Sequence, residues 1–309
     1  MQLPCYPDFA PLVLDMRAEI QPLLARLPDG VSEFTFANLY LFRKRYAYHL
    51  CLAQDADKTG GHAASADAPG GNAIIISGER DGKKFFETPS LMPPKEILLS
   101  LFETHDYWKC IPDSVLKPNQ ALIERCGVEI TEDRDNFDYL YLRTDLAELS
   151  GKKFHKKRNL VNAFLNMYIP QVEELTEDKI SLALKILERW RVDKGEEGDY
   201  TASKEALELF SVLGLQGNIY YINNYPVGWC LGESLANGTM FGIHFEKGLD
   251  EYKGIYQYIN QNFAASLDER YVYLNREQDL GDEGLRQAKM TYRPIGFVRK
   301  YMGKIARGD

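Results

Sequence analysis

Hydrophobic residues along this chain follow two different periods. Apolar positions with helical spacing run from Ala10 to Leu24 and again through SEFTFANLYLF, and both segments predict amphipathic helices. Short apolar runs bounded by polar residues predict strands, and three of them follow in the first half: YAYHLCLA, NAIIISGER and KKFFETP. The mixture of both periods within one stretch predicts α and β structure in the same domain.

The remaining signals of the first half complete this picture. Asp81-Gly82 separates two of the strands and is typical of a tight hairpin turn. Residues 54–72 are rich in Gly, Ala and Asp and lack an apolar period, which predicts either a disordered segment or a mobile surface loop. Two helices are predicted at Pro94–His105 and Pro118–Arg125, and FDYLYL predicts the next strand.

The second half repeats this type of organisation around a meander of three strands: GNIYYINN, PVGWCLGES and TMFGIHFE. Turns are predicted at Asn224-Tyr225-Pro226 and at Asn237-Gly238, the latter a type I′ signature. Before the meander the pattern predicts a basic helix from Lys152, a strand at Gln171–Leu175, and helices at Asp178–Arg191 and Ser203–Leu213. After it come a helix at Gly254–Leu267, the strand RYVYLN, a glycine-bearing loop, a last helix and the strand GFVRKY.

Length and element order together predict an α+β protein of two domains. The chain has 309 residues, and a domain typically takes about 150. We place the boundary after the strand FDYLYL and its following turn, which gives domains at 1–145 and 146–309, with the candidate site in the second.

Composition and charge exclude several function classes. Hydrophobic residues make up 45% of the chain, which is enough for packed cores, and the net charge of −8 argues against coating of nucleic acid, including DNA. Any site for a polyanion must therefore be local. The start of the chain lacks the basic and apolar regions of a secretory signal, so we expect a cytoplasmic location. No apolar run reaches about 18 residues, so contact with lipid would be peripheral.

The five cysteines and five histidines do not form a metal or redox pattern. The cysteines are widely scattered without a C-x-x-C pair, and we expect buried thiols in a reducing compartment and no metal. Cys230, in the strand VGWCLGE, could act as a nucleophile, but only with a base that the sequence does not place beside it.

Three segments resemble a known family: SEFTFANLYLFR, GKKFHKKRNLVNAF and YLNREQDLGDEGLRQAKMTYRP. The chain is similar to uncharacterised bacterial proteins related to the C-terminal domain of phosphatidylglycerol lysyltransferases. This resemblance implies two tandem domains of the acyl-CoA N-acyltransferase (GNAT) fold, each a mostly antiparallel mixed sheet flanked by helices. Because one fold hosts many activities, the function has to be argued from the site.

The basic helix is a candidate anion site. Ser150 is a suitable N-cap, and it would place five cations in the first turns, where the helix dipole already repels positive charge: Lys152, Lys153, Lys156, Lys157 and Arg158. An anion would relieve this repulsion, and helix N–H groups with lysines suit a phosphate. The resemblance implies that this anion is the acceptor arm of an aminoacyl-tRNA or a lipid phosphate. If the donor is a thioester instead, the anion would be the phosphates of coenzyme A. The alternative is a solvated lysine face.

The choice of donor depends on the segment EKGLDEYKG, where this fold normally binds the pyrophosphate of coenzyme A. Lys253 and Gly254 are the candidate donor-binding residues there. The segment lacks the R-x-x-G-x-G or R-x-x-G-x-A signature of coenzyme A users and carries Asp250 and Glu251. We therefore rank aminoacyl-tRNA ahead of an acyl-CoA thioester as donor, and expect no covalently bound cofactor.

Polar residues directly after the strand RYVYLN are the candidate catalytic groups. Acyl transfer needs a base, an oxyanion stabiliser and an acid for the leaving group. We assign Glu277 or Asp279 as base, with His244 as an alternative, and Tyr292 as acid. The candidate substrate-binding and stabilising residues are Asn275, Arg276 and Lys289. Each has a structural alternative: a turn cap for Asp279, a helix surface for Lys289 and Tyr292, and a core position for His244.

Three functions remain open on this reading. The first is transfer of an aminoacyl group from aminoacyl-tRNA to an amine or hydroxyl acceptor. The second is a coenzyme A dependent N-acyltransferase of the GNAT type. The third is a non-catalytic binding protein on the same fold.

Overall fold

The computed structural model describes residues 3–53, 73–195 and 198–305. The chain forms two compact units, one comprising Met1–Phe137 with Val298–Asp309 and the other Asp138–Phe297. Each unit contains one seven-stranded sheet with helices against it. The predicted α+β class is confirmed, and the loop predicted at 54–72 lies outside the described residues.

The first unit is built on a sheet of order β1-β2-β3-β4-β5-β14-β6. Its strands are β1 (Ala10–Pro11), β2 (His49–Ala53), β3 (Ala73–Arg80), β4 (Lys83–Glu87), β5 (Tyr107–Pro112), β6 (Val128–Glu132) and β14 (Lys300–Ile305). Its helices are α1 (Arg17–Leu24), α2 (Phe36–Tyr46), α3 (Lys95–Thr104) and α4 (Asp113–Arg125). The predicted hairpin at Asp81-Gly82 is confirmed, because both residues have positive φ and join β3 to β4.

The second unit is built on a sheet of order β13-β7-β12-β11-β10-β9-β8. Its strands are β7 (Asp138–Leu142), β8 (Pro170–Glu174), β9 (Gln216–Ile222), β10 (Tyr225–Leu235), β11 (Met240–Gly248), β12 (Tyr273–Asn275) and β13 (Gly296–Val298). Its helices are α5 (Arg143–Glu148), α6 (His155–Met167), α7 (Ile180–Lys194), α8 (Tyr200–Glu208), α9 (Phe210–Leu213), α10 (Ile255–Ser266) and α11 (Glu283–Met290). The predicted antiparallel meander is confirmed as β9, β10 and β11.

The two sheets have the same design. From one edge, the fourth and fifth strands form a parallel pair in each sheet, β4 with β5 and β11 with β12. The sixth strand comes from outside the contiguous run of its sheet: β14 lies between β5 and β6, and β7 between β12 and β13. The units therefore differ from the predicted division at 145/146 at both ends. Local periodicity identifies strands but does not show which sheet a strand joins.

The type I′ turn of the meander lies at its first connection and not at the predicted second one. Ile222 pairs with Tyr225, and the two residues between them, Asn223 and Asn224, both have positive φ, as a type I′ turn requires. The connection that contains Asn237-Gly238 is longer, since Leu235 pairs with Met240. The asparagine-rich turn thus takes the two-residue form, and the Asn-Gly turn does not.

The hydrophobic core of the second unit lies between its sheet and the helices α5, α6 and α10. Aromatic rings fill it, with Phe164 of α6 stacked on Tyr258 of α10 at a centroid distance of 5.0 Å and Phe241 of β11 edge-on to Phe263 at 5.5 Å. This packing fixes β11, which carries His244, and α6, which carries Lys157.

Candidate active site

The candidate site begins where β11 and β12 separate. The two strands pair in parallel only over Met240–Gly242 and Tyr273–Asn275. β12 ends there, whereas β11 continues to Gly248, so the second half of β11 has no strand on this side within the described part of the chain. The loop that follows β12 faces this half of β11 at the gap that opens between the strands, since Glu277 contacts His244 and Arg276 donates to Glu246.

A β-bulge places His244 at this gap. Leu231 of β10 pairs with Phe245 while Gly232 pairs with Ile243, so His244 is the extra residue of β11. Bulges re-aim a side chain and are frequent next to active sites. The side chain of His244 is 2% exposed.

His244 lies between two carboxylates. Its Nδ1 is 2.7 Å from Oε1 of Glu277 and its Nε2 is 3.0 Å from Oε1 of Glu233. Burial alone would lower the pKa of His244, but the hydrogen bonds to Glu233 and Glu277 outweigh it and raise the pKa to about 10. His244 is therefore an imidazolium that donates to both acids at neutral pH, and its geometry does not suit the general base that we considered. We call Glu233, His244 and Glu277 the triad.

Glu277 is the member of the triad that a ligand can reach. Its side chain is 23% exposed, against 5% for Glu233. Its φ is 56°, in the left-handed region that costs a non-glycine residue free energy, and such residues cluster at functional sites. Asn275 supports this conformation because its Oδ1 accepts the Glu277 backbone N–H at 2.7 Å, while its Nδ2 donates to Asp138 at 3.0 Å. Asn275 thus positions Glu277 and is fully buried.

Lys289 holds the same loop from the other side. Its Nζ donates to the carbonyl oxygens of Arg276 at 2.6 Å, Glu277 at 3.1 Å and Gln278 at 2.6 Å. An ammonium has three donors, so these bonds use all of them. Burial lowers the pKa of Lys289 to about 8. In this geometry Lys289 positions the loop and has no hydrogen left for an oxyanion.

Asp279 is a structural acceptor in this arrangement. It is fully buried and accepts hydrogen bonds from Tyr139 Oη at 2.6 Å, from Arg286 at 2.9 and 2.8 Å, and from the Gly281 N–H at 3.0 Å. Burial would raise its pKa, but the bonds from Arg286 and Tyr139 hold the pKa well below its usual range. A carboxylate so fully bonded is a poor base, and Glu277 is the better of the two candidates.

Tyr292 lies between two cations. Nζ of Lys157 is 4.0 Å from its ring centroid, and the guanidinium carbon of Arg276 is 5.5 Å from the same point. Arg276 also donates to Glu246 at 2.9 Å. Burial raises the pKa of Tyr292 to about 12 and, with the charge of Arg276, lowers the pKa of Lys157. Tyr292 therefore keeps its proton at neutral pH beside a local excess of positive charge.

The other basic residues of the predicted anion site do not join this group. Lys153 pairs with Asp145 at 2.6 Å, and Arg158 donates to the carbonyl oxygens of Leu149 and Gly151 near the end of α5. Lys152 and Lys156 are exposed. Of the five cations, the structure brings Lys157 to the polar cluster.

The predicted N-cap at Ser150 is wrong. The helix α6 begins at His155 after a short 3-10 turn, and Phe154 occupies the cap position. The hydroxyl of Ser150 donates instead to Glu148 at 3.2 Å. Gly151, with a φ of 78°, redirects the chain between the two helices, which a bare sequence does not show.

The predicted donor-binding residues Lys253 and Gly254 lie in a loop whose contacts are structural. A Cβ at Gly254 would lie 2.9 Å from the Leu160 carbonyl oxygen, so close packing against α6 already requires glycine, as does its φ of 97°. Asp250 pairs with Lys194 at 2.9 Å and Glu251 with Arg189 at 2.7 Å. Lys253 is exposed. None of these contacts favours a pyrophosphate.

Sequence reasoning missed Glu233 and Glu246. Both lie in otherwise apolar strands, in CLGES and HFEKG, and a carboxylate in a buried strand is a signal that could have identified them. Cys230, considered as a nucleophile, is fully buried, and burial raises its pKa. Its hydrogen-bonding neighbour is Tyr220 Oη at 3.8 Å, which is not a base.

Within the described residues, no group of three or more His, Cys, Asp or Glu side chains is arranged to hold a metal ion. No helix in residues 3–53, 73–195 or 198–305 is long and apolar enough to cross a bilayer.

A known family model matches most of this chain. The family model described as phosphatidylglycerol lysyltransferase, C-terminal, matches residues 24–304. A curated relative, an uncharacterized protein of Mycoplasmoides gallisepticum, is 27% identical over 189 residues, which cover 58% of this chain and 59% of that protein. The match thus spans less than two thirds of that relative's length.

Solved structures extend the likeness to the whole chain. A conserved protein of unknown function from Bacteroides thetaiotaomicron is 29% identical and superposes with a TM-score of 0.83 over 99% of this chain and all of that one. The C-terminal domain of a putative lysylphosphatidylglycerol synthetase from Agrobacterium fabrum is 11% identical, with a TM-score of 0.64 over 96% of this chain and 93% of its own.

More distant structures identify the fold. FemX superposes with a TM-score of 0.58 at 8% identity, and a tandem GNAT protein from the clavulanic acid biosynthesis pathway with 0.50 at 11%. At these identities the likeness shows the fold alone. The prediction of two tandem GNAT-like domains, each with a mixed sheet flanked by helices, is confirmed.

Proposed function

Because the chain belongs to the phosphatidylglycerol lysyltransferase C-terminal family, we propose that it transfers an aminoacyl group from aminoacyl-tRNA to an amine or hydroxyl acceptor. The reaction takes place at the gap between β11 and β12 in the second unit. One observation carries the proposal: the His244 imidazolium fixes the reachable carboxylate of Glu277 at 2.7 Å, and the adjacent residue Arg276 lies 5.5 Å from the ring centroid of Tyr292.

Glu277 acts as the general base. The nucleophilic amine or hydroxyl attacks the ester carbonyl of the donor, and Glu277 takes the proton that the nucleophile loses. His244 remains protonated and donates to Glu277, while Glu233 accepts a hydrogen bond on the far side of the ring. The imidazolium thus fixes the position of the Glu277 carboxylate towards the nucleophile.

Tyr292 acts as the general acid. When the bond between the carbonyl carbon and the ribose oxygen breaks, the leaving oxygen needs a proton, and Tyr292 holds one at neutral pH. The tyrosinate that results lies beside Lys157 and Arg276, whose charges stabilise it. The proton taken up by Glu277 then returns to Tyr292 through solvent, and the cycle closes.

Aminoacyl-tRNA is the favoured donor because the loop at 249–254, where this fold normally binds the pyrophosphate of coenzyme A, is already used for packing and ion pairs. Gly254 is required by the approach of α6, and the two acids of the loop pair with α7. The likeness to a tandem GNAT protein makes an acyl-CoA thioester the second candidate. Both donors are activated acyl groups, and the same base and acid would serve either.

The test measures loss of the acyl group from each donor. Bulk tRNA charged with labelled amino acids and a panel of acyl-CoA thioesters are incubated with the protein and a mixture of small amines and hydroxyl compounds. The proposal predicts faster loss of label from tRNA, with uncharged tRNA as competitor. Faster release of free thiol, with stable aminoacyl-tRNA, would select the thioester reading. Stability of both donors would favour the non-catalytic binding protein.

A further inference from the structure

The first unit contains a cleft of its own, with a volume of about 630 Å³. It is formed by the β3–β4 hairpin, the start of β5, the segment after β6 and the strand β14. This size lies within the range of about 300–1,000 Å³ typical of sites for small molecules. The proposed transfer reaction makes no use of it.

Cations dominate the rim of the cleft. Arg80, Lys83 and Lys304 line it, and the described residues give Lys83 and Lys304 no ion pair. The carboxylates that share the lining have partners: Asp106 accepts the Lys84 backbone N–H at 2.9 Å, Asp133 accepts the Asn136 amide at 2.8 Å, and Asp81 lies 3.4 Å from Arg80. The unpaired lysines and the Arg80 guanidinium can therefore bind an added anion.

The floor of the cleft has a buried charge. Lys109 lines the cleft with its side chain 7% exposed, and its Nζ donates to Oε1 of Glu87 at 2.8 Å. Glu87 is fully buried and does not line the cleft, so the Lys109 ammonium is the charged group at its floor.

The rest of the lining is apolar and includes an aromatic ring. Tyr107, Met302 and Ile305 are half-buried, and Tyr107 is held by Phe85 at a ring-centroid distance of 5.6 Å. A ring fixed in this way, with a thioether beside it, suits a flat unsaturated group. The amide of Asn136 adds donors and an acceptor at the wall.

From these observations we propose that the cleft of the first unit binds a nucleotide unit. Its phosphate lies against Arg80, Lys83 and Lys304, and its base lies on Tyr107 and Met302. Stacking of a base on an aromatic side chain contributes about 1–3 kcal/mol. The nucleotide comes either from a free mononucleotide or from the single-stranded end of an RNA, and both present the same chemistry.

Calorimetric titration of the full chain tests this proposal. The probes are adenosine monophosphate, cytidine monophosphate, adenosine, inorganic phosphate and a short RNA ending in CCA. A mononucleotide is expected to bind at least about tenfold more tightly than adenosine or phosphate alone, because both halves of the site contribute. Raising salt from about 50 to about 200 mM should weaken this binding. Mononucleotide binding no tighter than that of phosphate would overturn the proposal.

Matched variants locate the site. The double variant K83A/K304A should weaken mononucleotide binding by about tenfold, whereas K95A, on the exposed side of α3, should leave it unchanged. All three lysines are exposed, so the fold should tolerate their loss. Equal binding by K83A/K304A and K95A would contradict the assignment. If the CCA strand binds more tightly than the mononucleotides, the natural ligand is the end of an RNA. If both bind equally, the natural ligand is a free nucleotide.

The outcome is independent of the transfer reaction. E277Q changes the second unit and should bind the nucleotide as the unchanged protein does, whatever its effect on transfer. Nucleotide binding by a protein without transfer activity would leave this inference standing and overturn the proposed function. Transfer activity without nucleotide binding would do the reverse.

Discussion

His244 and Glu277 form a contact of 2.7 Å between a bulged strand residue and a residue of positive φ. The bulge turns His244 into the gap beside β12, and the left-handed backbone of Glu277 turns its carboxylate to meet it. Both local distortions are unfavourable alone, and the buried charge pair with Glu233 behind it stabilises them together.

The triad predicts a pH-dependent stability. The pKa of His244 rises from 6.5 to about 10 on folding, so its contribution is complete below pH 6.5 and is lost as the pH rises toward about 10. H244Q leaves Glu233 and Glu277 without their cation and should lower the free energy of unfolding by about 3–5 kcal/mol at pH 6. Urea denaturation between pH 6 and 10 measures both effects.

The control for this measurement is H155Q, at an exposed position of α6. It should remain close to the unchanged protein throughout. The gap between the unchanged protein and H244Q should narrow as the pH rises. A gap that stays constant from pH 6 to 10 would show that His244 is not a buried imidazolium.

Asp279 should matter for stability and little for chemistry. D279N replaces an acceptor oxygen by a donor, so a bond from Arg286 or Tyr139 is lost, at a cost of about 1–3 kcal/mol. Thermal unfolding measures the loss, with D193N on the exposed face of α7 as control. Below its unfolding temperature, D279N should transfer acyl groups nearly as fast as the unchanged protein. A large fall in kcat at full folding would make Asp279 catalytic.

Lys157 should matter for the chemical step, and its neighbour should not. K157A removes the cation that lies 4.0 Å from the Tyr292 ring centroid and stabilises the tyrosinate, so we expect kcat to fall by about tenfold. K156A, one position earlier and exposed, is the matched control. Steady-state kinetics of both variants decide the point. Equal effects of the two substitutions would favour a diffuse lysine surface over a specific contact.

Cys230 should not react with alkylating reagents and should not be needed for acyl transfer. It is fully buried and burial raises its pKa, so the reactive thiolate is scarce. Iodoacetamide applied to the native protein should modify the exposed Cys5 and leave Cys230 unmodified, which peptide mass spectrometry resolves. C230A should retain acyl transfer. Rapid alkylation of Cys230 with loss of activity would reinstate it as a nucleophile.

Much of the fold could be predicted because its signals are local. The helix predicted at Pro94–His105 is α3 at Lys95–Thr104, and the meander follows from alternating apolar runs. The final run GFVRKY, in contrast, is divided: Gly296–Val298 joins one sheet and Lys300–Ile305 the other. Which sheet each half joins depends on strand pairing over long sequence distances. A local pattern of apolar residues does not show such pairing.

That the polar residues after β12 form a site stays a prediction. Glu277, Arg276 and Asp279 lie in one loop after β12, and Arg276 lies 5.5 Å from the Tyr292 ring centroid. Glu277 is the reachable carboxylate and Asp279 the fully bonded one. This difference depends on partners such as Glu233 and Arg286, which only the tertiary structure brings close. The same holds for Lys157, which differs from Lys156 only by the helix face it occupies.

The central claim is that Glu277 is the base for acyl transfer in the second unit. Single-turnover loss of the aminoacyl group from charged tRNA should slow by at least about a hundredfold in E277Q, the low end for a general base. The control E269Q, an exposed acid of the same unit, should react at the unchanged rate. Equal rates for E277Q and E269Q, with both proteins folded, would contradict the account.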